Sequence, residues 1–478
     1  MRPSFAVFIL TIVAAPAAAQ APTGTYTFDL ESAIADGPSL TPEQAVQLAT
    51  ASAPELERAR ARIEGAEAAA ARARAAMLPR LDLSFNYQHV DGFPDAQISL
   101  GADPNALAAA RMLAQNVTDP AARMLWLGQI DSQATGGATI QIPRDRLGFG
   151  ARITWPVSDM FFAILPALQA AEAGERAREL ERDAAEAQLA RSVLEAYYQL
   201  AHARGAYAVA QEGLRDAEEQ RGAIEAAVRA GFMTRADSLA LDARIAELRT
   251  AVANTEAAVT VSDVALRSLL AADPGPVYGV ALGEPRRSDL SVDEALTARP
   301  ELAAVREAIR AQGSARDAQL ASGYPHVGVY AGADYANPNR YQVPPQQVFQ
   351  GSWEVGVSLT WSPNDTLSAV HRNDELGADI QALEAQLEGM ERMVRVELAQ
   401  ARAQREANLH ALEAARALVE TAQLAYEERQ AEVAAGETTA TELLEIEARL
   451  VQARLSELDA EVQLRLAGVR EAYATGAL

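Results

Sequence analysis

The feature that most constrains the fold of this chain is an internal duplication. Pro54-Glu55-Leu56 recurs as Pro300-Glu301-Leu302, and Pro79 recurs as Pro325 at the same spacing. Three further matches follow in the same order: Thr154-Trp155 with Thr360-Trp361, Ala230-Gly231 with Ala435-Gly436, and Ala243-Arg244 with Ala448-Arg449. Because both order and spacing repeat, the sequence predicts two copies of one structural unit, at residues 41–272 and 293–478.

Within each copy, the hydrophobic period changes from helical to two and back again. Leu81, Leu83, Phe85 and Tyr87 alternate with polar residues, so one face of this predicted strand is apolar and the other is polar. The predicted strands of this kind are 80–90, 146–156, 326–335 and 352–361. Each has about 10 residues, which is the length that crosses a bilayer as a tilted strand. Taken alone, the pattern fits a soluble antiparallel sheet with one wet face equally well.

A long helix follows the second strand of each copy, at residues 163–229 and 367–434, and it is rich in Ala, Glu, Arg and Leu. At about 1.5 Å per residue, each would extend roughly 100 Å. Each then reverses at an Ala-Gly turn into a shorter helix, at 236–270 and 440–474. A further helix is predicted ahead of the strands in each copy, at 43–77 and 293–322.

The shorter helices that follow the turns carry an apolar seam. Apolar residues in the second of them step by four and three, as coiled-coil core positions do. These are Leu444, Ala448, Val451, Leu455, Leu458, Val462, Leu466, Val469 and Tyr473. The helices are therefore expected to pack against partner helices, and an ordinary coiled-coil scaffold is one fold that they fit.

Less regular sequence flanks the first copy and also interrupts it. Residues 1–19 combine Arg2, an apolar stretch and small residues before Gln20, which is the layout of a cleaved secretory signal, so the protein is predicted to be exported. Residues 20–40 and 273–292 are predicted to be connections that lie beside the helices at the equator of the molecule. Residues 91–145 form a long predicted loop with a helical stretch near 106–115, whereas its counterpart, 336–350, is brief.

Composition excludes several classes of protein. The chain has no cysteine, so it has neither disulfides nor thiolate metal sites. Its formal net charge of −23 argues against a general nucleic-acid binder, which would need a basic face. No apolar run after the signal is long enough for a spanning helix, so a membrane segment would have to consist of strands.

Four strands are too few to close a membrane barrel, since single-chain barrels begin at about 8 strands. An open sheet edge in lipid would leave backbone groups unpaired. A closed ring of protomers removes the edges, and cyclic symmetry is the ordinary way to form one. The protein is therefore predicted to oligomerise.

With helix, strand pair, long helix, Ala-Gly turn and short helix given twice, the sequence resembles the TolC-like family of outer-membrane efflux proteins, the outer membrane factors. The resemblance covers nearly all of the chain after the signal. Its most specific pieces are Pro54-Glu55-Leu56 with Pro79, Thr154-Trp155-Pro156, Ala230-Gly231 with Thr234 and Asp237, and Ala435-Gly436 with Thr439 and Glu442.

This resemblance implies a fold and a function. The fold is that of a mixed α and β membrane protein, a homotrimer whose β-barrel has four strands per protomer and continues into a long α-helical coiled-coil barrel. The barrel would lie among outer-membrane lipid of a Gram-negative bacterium, and the helices would extend into the periplasm. The function is that of a passive exit duct in a tripartite efflux or type I secretion system, with a periplasmic adaptor (membrane fusion) protein and an inner-membrane RND or ABC transporter as partners.

The resemblance also carries over individual residues at the two turns. It implies that Gly231, Thr234, Gly436 and Thr439 contact the adaptor, although a left-handed helix cap also explains each glycine. It implies a periplasmic gate of Glu442, Glu445 and Asp237, with weak divalent cation binding at the two glutamates, which stand where the family has aspartates. The alternative is that both are solvated glutamates near a helix start. The family's latch positions hold Thr438 and Val433, so that latch does not carry over.

No catalytic constellation and no cofactor site are predicted, so the protein is not expected to be an enzyme. The five histidines, His89, His202, His326, His371 and His410, lack metal-ligand spacing. Two other functions compete with the duct: a periplasmic coiled-coil scaffold and a nutrient porin. A scaffold leaves the two-faced strands without a purpose, and a porin would need many more strands per chain and no long helices.

Overall fold

The computed structural model describes residues 30–92, 96–99, 103–134, 137–140, 143–231, 233–342, 346–435 and 437–478. The predicted signal peptide, residues 1–19, lies outside the described residues, and so do residues 20–29 of the predicted N-terminal extension and Gly436. In the part of the chain that the structure describes, no helix is both long enough and apolar enough to cross a membrane.

The chain is mostly helical, with a small sheet. As far as the first long helix, the elements are α1 (Leu30–Ile34), β1 (Ser39–Leu40), α2 (Pro42–Ser52), α3 (Pro54–Ala75), β2 (Arg80–His89), β3 (Ala96–Ser99), α4 (Pro104–Gln115), α5 (Pro120–Ala134), β4 (Gly137–Ile140), β5 (Asp145–Trp155), α6 (Val157–Asp159), a π-helical turn (Met160–Ile164) and α7 (Leu165–Arg229). The remaining elements are α8 (Arg235–Leu270), β6 (Gly279–Val280), α9 (Val292–Ala298), α10 (Pro300–Leu320), a 3₁₀ turn (Ala321–Gly323), β7 (His326–Asn337), β8 (Gln350–Thr360), α11 (Pro363–Ala435) and α12 (Ala440–Ala474).

The chain divides into two compact units, each built from several separate segments. Of the residues that the structure describes, unit 1 contains those within 30–53, 188–289 and 398–478, and unit 2 contains those within 54–187 and 290–397.

Unit 2 contains the sheet. Its four strands run in the order β2-β5-β7-β8, and every neighbouring pair is antiparallel. The register places Leu83 opposite Ala151, Ala151 opposite Ala333, and Ala333 opposite Trp353, so the apolar positions of all four strands form rows on one face. This follows from the period of two, because a slip of one residue would move every apolar side chain to the other face.

The polar face of the sheet is held by charged pairs and accommodates large side chains beside glycines. Arg152 on β5 donates to Glu354 on β8 (2.6 Å), across the intervening strand β7. A Cβ at Gly356 would come within 2.5 Å of the Tyr330 ring, so the glycine leaves space for this ring. The polar face therefore has defined side-chain packing of its own.

The helices that precede the strands differ from their predicted form. One helix was predicted at 43–77 and one at 293–322, but each is broken by a single extended residue, Ala53 (ψ 121°) in the first and Arg299 (ψ 115°) in the second. Each of these residues precedes a proline, and the proline ring excludes the helical conformation for the residue before it. Pro54 and Pro300 instead begin new helices, where the missing N–H has no effect.

The predicted loop 91–145 contains more structure than its sequence indicated. Besides α4, which covers the expected helical stretch, it has a second helix, α5, and β3 pairs with β4 in an antiparallel ribbon. Arg111 on α4 donates to Asp131 on α5 (2.5 Å). The start of α5 had a signal that was overlooked: Asp119 accepts from the Ala121 N–H (3.0 Å), and Pro120 occupies the first helical position.

In unit 1 the two connecting segments pair with each other. Strands β1 and β6 form a short parallel bridge. The buried Tyr197 of α7 holds both, because its hydroxyl lies 2.8 Å from the Leu40 carbonyl, to which it donates, and accepts from the Ala281 N–H (2.8 Å). Unit 1 also contains two helical hairpins: the part of α7 from residue 188 with α8, and the part of α11 from residue 398 with α12.

Candidate functional site

The first hairpin turn joins α7 to α8 through Gly231, which has a φ of +82°. No atom would lie within 4 Å of a Cβ at this position, so the glycine is required by the backbone conformation and not by crowding. The Met233 N–H then donates back to the Ala227 carbonyl (3.4 Å), which ties the turn to the end of α7.

Thr234 and Asp237 close the start of α8 with a reciprocal capping box. The Thr234 hydroxyl accepts from the Asp237 N–H (3.3 Å), and Asp237 Oδ2 accepts from the Thr234 N–H (2.9 Å) and from the Thr234 hydroxyl (2.7 Å). These bonds satisfy backbone N–H groups that a helix start otherwise leaves unpaired.

The other oxygen of Asp237 reaches the second hairpin. The Thr441 hydroxyl on α12 donates to Asp237 Oδ1 (3.2 Å), and Asp237 is only 8% exposed. The hydrogen bonds from Thr234, more than that from Thr441, hold the pKa of Asp237 below its usual value of 3.8. In this chain, Asp237 is a buried link between hairpins as well as a cap.

The second hairpin turn is built differently. Thr439 caps α12 by accepting from the Glu442 N–H (3.4 Å), but the Glu442 side chain does not return to the Thr439 backbone. Glu442 Oε2 instead accepts from the Thr438 hydroxyl (2.8 Å) and from Arg429 Nη1 (3.1 Å). The Glu437 N–H donates to the Glu432 carbonyl (2.9 Å) and closes the end of α11.

The structure therefore places the predicted gate residues in different surroundings. Glu442 is more than half exposed and Glu445 is exposed, both near the start of α12, whereas Asp237 is buried in its bonds to Thr234 and Thr441. Among the described residues, no group of three His, Cys, Asp or Glu side chains is placed to hold a metal ion. A ring of Glu442 and Glu445 would need several chains, so the gate stays a prediction.

An apolar core lies directly behind the two turns. It joins three of the four helices of the hairpins, and the first residue of α12, Ala440, is part of it. The buried members are Ala217, Ile224, Leu241, Ile245, Leu248, Ala440 and Leu444. The turns are thus presented by packed helices of unit 1.

The seam predicted along α12 is displaced from the stripe that is buried over its first turns. Ala448, Val451 and Leu455 are only half-buried, while the buried positions are Ala440, Leu443, Leu444, Glu447, Leu450 and Ala453. Sequence reasoning therefore missed Glu447. Its signal was an acidic residue three or four positions from leucines on either side, at a core step of the coiled-coil pattern.

Apart from the hairpin turns, the apolar face of the sheet in unit 2 is also a candidate functional surface. Leu83 is 76% exposed and Trp353 is 79% exposed, and neighbouring apolar side chains of all four strands are exposed on the same face. Phe85 and Phe149 are in contact there, with ring centroids 5.0 Å apart. Isolated exposed apolar residues are ordinary, but a contiguous apolar face of this kind marks contact with lipid or protein.

Comparison with solved structures shows that this chain shares its fold with several outer-membrane channels. The OprN outer-membrane channel is similar over 94% of this chain and 92% of its own, with 20% identity and a TM-score of 0.68. The open state of the Neisseria gonorrhoeae MtrE channel is similar over 91% of this chain and 88% of its own, with 19% identity and a TM-score of 0.70. The Campylobacter jejuni CmeC channel is similar over 91% of this chain and 85% of its own, with 13% identity and a TM-score of 0.71.

The sequence comparison then gives the family. The profile of the outer membrane efflux protein family matches residues 128–272 and 291–476, so this chain belongs to that family. The family resemblance predicted from the sequence is thereby confirmed. A comparison with curated protein sequences gives no match.

Proposed function

We propose that this protein is the passive exit duct of an efflux or type I secretion system, in the outer membrane of a Gram-negative bacterium. The observation that carries the proposal is the sheet of unit 2, which is apolar on one face and polar on the other. Within the described residues, its outer strands β2 and β8 each pair on one side only. In lipid, an open edge leaves backbone groups unsatisfied, so β2 of one protomer would pair with β8 of the next.

Closure by three protomers would place the apolar face toward lipid and the polar face, with Arg152 and Glu354, toward an aqueous lumen. Such a trimer has a barrel of four strands per protomer, and the hairpins of unit 1 would form the coiled-coil barrel in the periplasm. Family membership supports this arrangement. An inner-membrane RND or ABC pump would supply the energy, since a duct of this kind has no catalytic site.

The sheet edges provide the direct test. The chain has no cysteine, so paired cysteines at Ser84 on β2 and at successive positions along β8 report only on the new contact. We expect disulfide-linked oligomers that reach a trimer, from the membrane fraction only. Pairs placed on the interior strands β5 and β7 are the matched control and should give no intermolecular product. A detergent-solubilised monomer with no cross-link would contradict the proposal.

At the tips, the proposed duct would contact its periplasmic adaptor through the turns that contain Gly231, Thr234, Gly436 and Thr439. Glu442 and Glu445, repeated around the trimer axis, would form an acidic constriction. Rings of carboxylates select cations and bind divalent ions. Planar-bilayer recordings test this: replacing both glutamates with Ala should weaken cation selectivity and divalent block. If both properties are unchanged, the gate assignment is wrong even where the duct stands.

A further inference from the structure

A group of polar side chains is enclosed by the two hairpins, about two to four helical turns from their tips. Four helices contribute to it: Asp216 and Gln220 come from α7, Arg244 from α8, Tyr426 from α11 and Glu447 from α12. None of these residues belongs to the turns or to the proposed gate. The group is therefore a feature of the hairpin packing itself.

Glu447 is the most deeply buried member. It is 2% exposed, and among the described residues neither of its carboxyl oxygens has a hydrogen-bond partner. Buried leucines stand on both sides of it along α12, at Leu444 and Leu450. An ionised carboxylate without a donor is costly in such surroundings, whereas the neutral acid is far less so.

The residues around Glu447 do not neutralise it by pairing. Arg244 Nη1 bonds to Glu247 (3.3 Å), while Arg244 Nε is buried without an acceptor. The Gln220 amide nitrogen donates to the Tyr426 hydroxyl (2.9 Å), and Gln220 Oε1 is buried without a donor. Within the described residues, no ion pair shorter than 4.0 Å joins Arg244 to Glu447.

Titratable side chains from all four helices of the hairpins surround Glu447 or its polar neighbours. Asp216 of α7, Arg244 of α8 and Tyr426 of α11 interact electrostatically with Glu447, and Arg454 of α12 interacts with Asp216 and Tyr426. Asp216 in turn lies near Glu212, Arg215 and Glu219 of its own helix. Asp216 and Glu447 thus share a buried setting in which the nearby arginines offset only part of the cost of ionising the two carboxyl groups.

Burial, reinforced by Asp216, raises the pKa of Glu447 to about 7, against the opposing influence of Arg244 and Gln220. Burial also raises the pKa of Asp216 to about 6. For an acid whose pKa is raised by packing, the packed state is favoured fully below the ordinary carboxyl pKa of 4.5. That advantage is lost as the pH rises through about 7.

We propose that Glu447 and its polar neighbours form a proton-controlled contact between the α7–α8 and α11–α12 hairpins, packed when the carboxyl is neutral and loosened when it ionises. The proposal deepens the duct function and rests on it for its consequence, which is that separation of the hairpins near the tips would widen the periplasmic end. The contact itself is a property of this chain and can be tested without partners.

The test is hydrogen exchange of the full-length protein in detergent between pH 5 and pH 8.5, corrected for the intrinsic exchange rate and read on peptides covering 440–454 and 212–224. In the wild type, protection should fall between about pH 5 and pH 7, with a limiting slope of about tenfold per pH unit for one released proton, and it should level off above the raised pKa of about 7. Glu447→Gln combined with Asp216→Asn is neutral at both positions at every pH and similar in shape, so the protection of this double variant should stay flat, whereas Glu447→Gln alone should keep only the response of Asp216. Glu420→Gln removes one exposed carboxylate from α11 and should keep the wild-type response.

A wild type without this pH response, or a Glu447→Gln variant whose response is as steep as that of the wild type, would overturn the proposal. Glu447→Leu combined with Asp216→Asn guards against a folding defect of the first double variant, because an apolar side chain of similar size at position 447 should also give flat, high protection. Planar-bilayer conductance separates the two proposals. A pH-dependent contact in a protein that forms no channel would contradict the duct alone, and a conducting channel without the pH response would contradict this inference alone.

Discussion

The two hairpin tips carry the same sequence pattern and use it differently. Each helix after the turn begins with a capping threonine, Thr234 or Thr439, followed three residues later by an acid, Asp237 or Glu442. Asp237 returns to the backbone N–H of its own threonine and also receives a bond from α12. Glu442 reaches side chains across its turn and remains more than half exposed.

The difference is explained by side-chain length and by the neighbours. The short carboxylate of Asp237 is held close to the helix start, and Thr441 covers it from the second hairpin. The longer Glu442 extends to Arg429 near the end of α11, which has no equivalent bond in the first tip among the described residues. An acid at this helix position is therefore no evidence of a gate by itself, since in the first tip its carboxylate is occupied by capping.

Of the changes at the two tips, Asp237→Ala is expected to cause the largest loss of stability. The change removes the capping box and leaves the Thr234 N–H and the Thr441 hydroxyl without their acceptor. We expect the opening free energy of the first turn of α8 to fall by about 1–3 kcal/mol. Native-state hydrogen exchange on peptides spanning 233–245 measures it.

Glu442→Ala is the matched change in the second tip. It removes a partly exposed ion pair with Arg429, so the opening free energy of the first turn of α12 is expected to fall by less than about 1 kcal/mol. Equal losses in the two tips would show that the capping box and the link to Thr441 add nothing to Asp237.

An effect smaller than that of Asp237→Ala is expected from Gly231→Ala. The left-handed backbone costs a residue with a Cβ about 1 kcal/mol, and no neighbouring atom crowds the site. The loss should appear in hydrogen exchange at the end of α7 and leave the sheet of unit 2 unchanged. Gly222→Ala, inside α7 with open space around it, is the control and should be neutral or stabilising. A destabilised Gly222→Ala together with an unaffected Gly231→Ala would contradict the backbone argument.

Acid should weaken the first tip selectively. The pKa of Asp237 is lowered by its hydrogen bonds from Thr234, so its stabilising contribution is present above the ordinary value of 3.8 and is lost as the pH falls through the lowered value. We expect pepsin to cleave the wild-type turn more slowly than it cleaves Asp237→Asn at pH 4, and we expect this difference to shrink as the pH is lowered toward 2. A ratio of rates that does not change with pH would exclude Asp237 as the titrating group. This dependence is opposite in sign to that proposed for Glu447.

The parts of the fold that depend on local sequence could be predicted. The alternation from Leu81 to Tyr87 indicated a strand with two unlike faces, and family membership confirms the resemblance built on the turns. The breaks at Ala53 and Arg299 had a local cause, the prolines that follow, and a closer reading of those two positions would have found them.

The features that depend on contacts between helices could not be predicted. Thr441 lies far from Asp237 in sequence, so nothing in the first turn indicated that Asp237 would be buried. Likewise, the charge state of Glu447 depends on Asp216, Gln220 and Arg244, which come from two other helices. Periodicity placed the helices and the buried seam in the second half of α12, but over the first turns it pointed to Ala448 and Val451, one residue away from the buried Glu447 and Leu450.

The smallest effect is expected from Glu442→Asp, which gives the second tip the residue of the first. The shorter carboxylate can return to the Thr439 N–H and complete a capping box, while its bond to Arg429 is lost. A gain of a few tenths of a kcal/mol from the cap is offset by the lost pair, so the net change in the opening free energy of α12 should lie within about 0.5 kcal/mol of zero. The reciprocal change, Asp237→Glu, has no such compensation, because a longer side chain must fit into a buried site that Thr441 already covers. We expect it to cost about 1 kcal/mol or more in α8, measured by the same hydrogen-exchange experiment. If both exchanges had equally small effects, side-chain length would not be the reason that the two tips differ, and the positions of Thr441 and Arg429 alone would have to explain it.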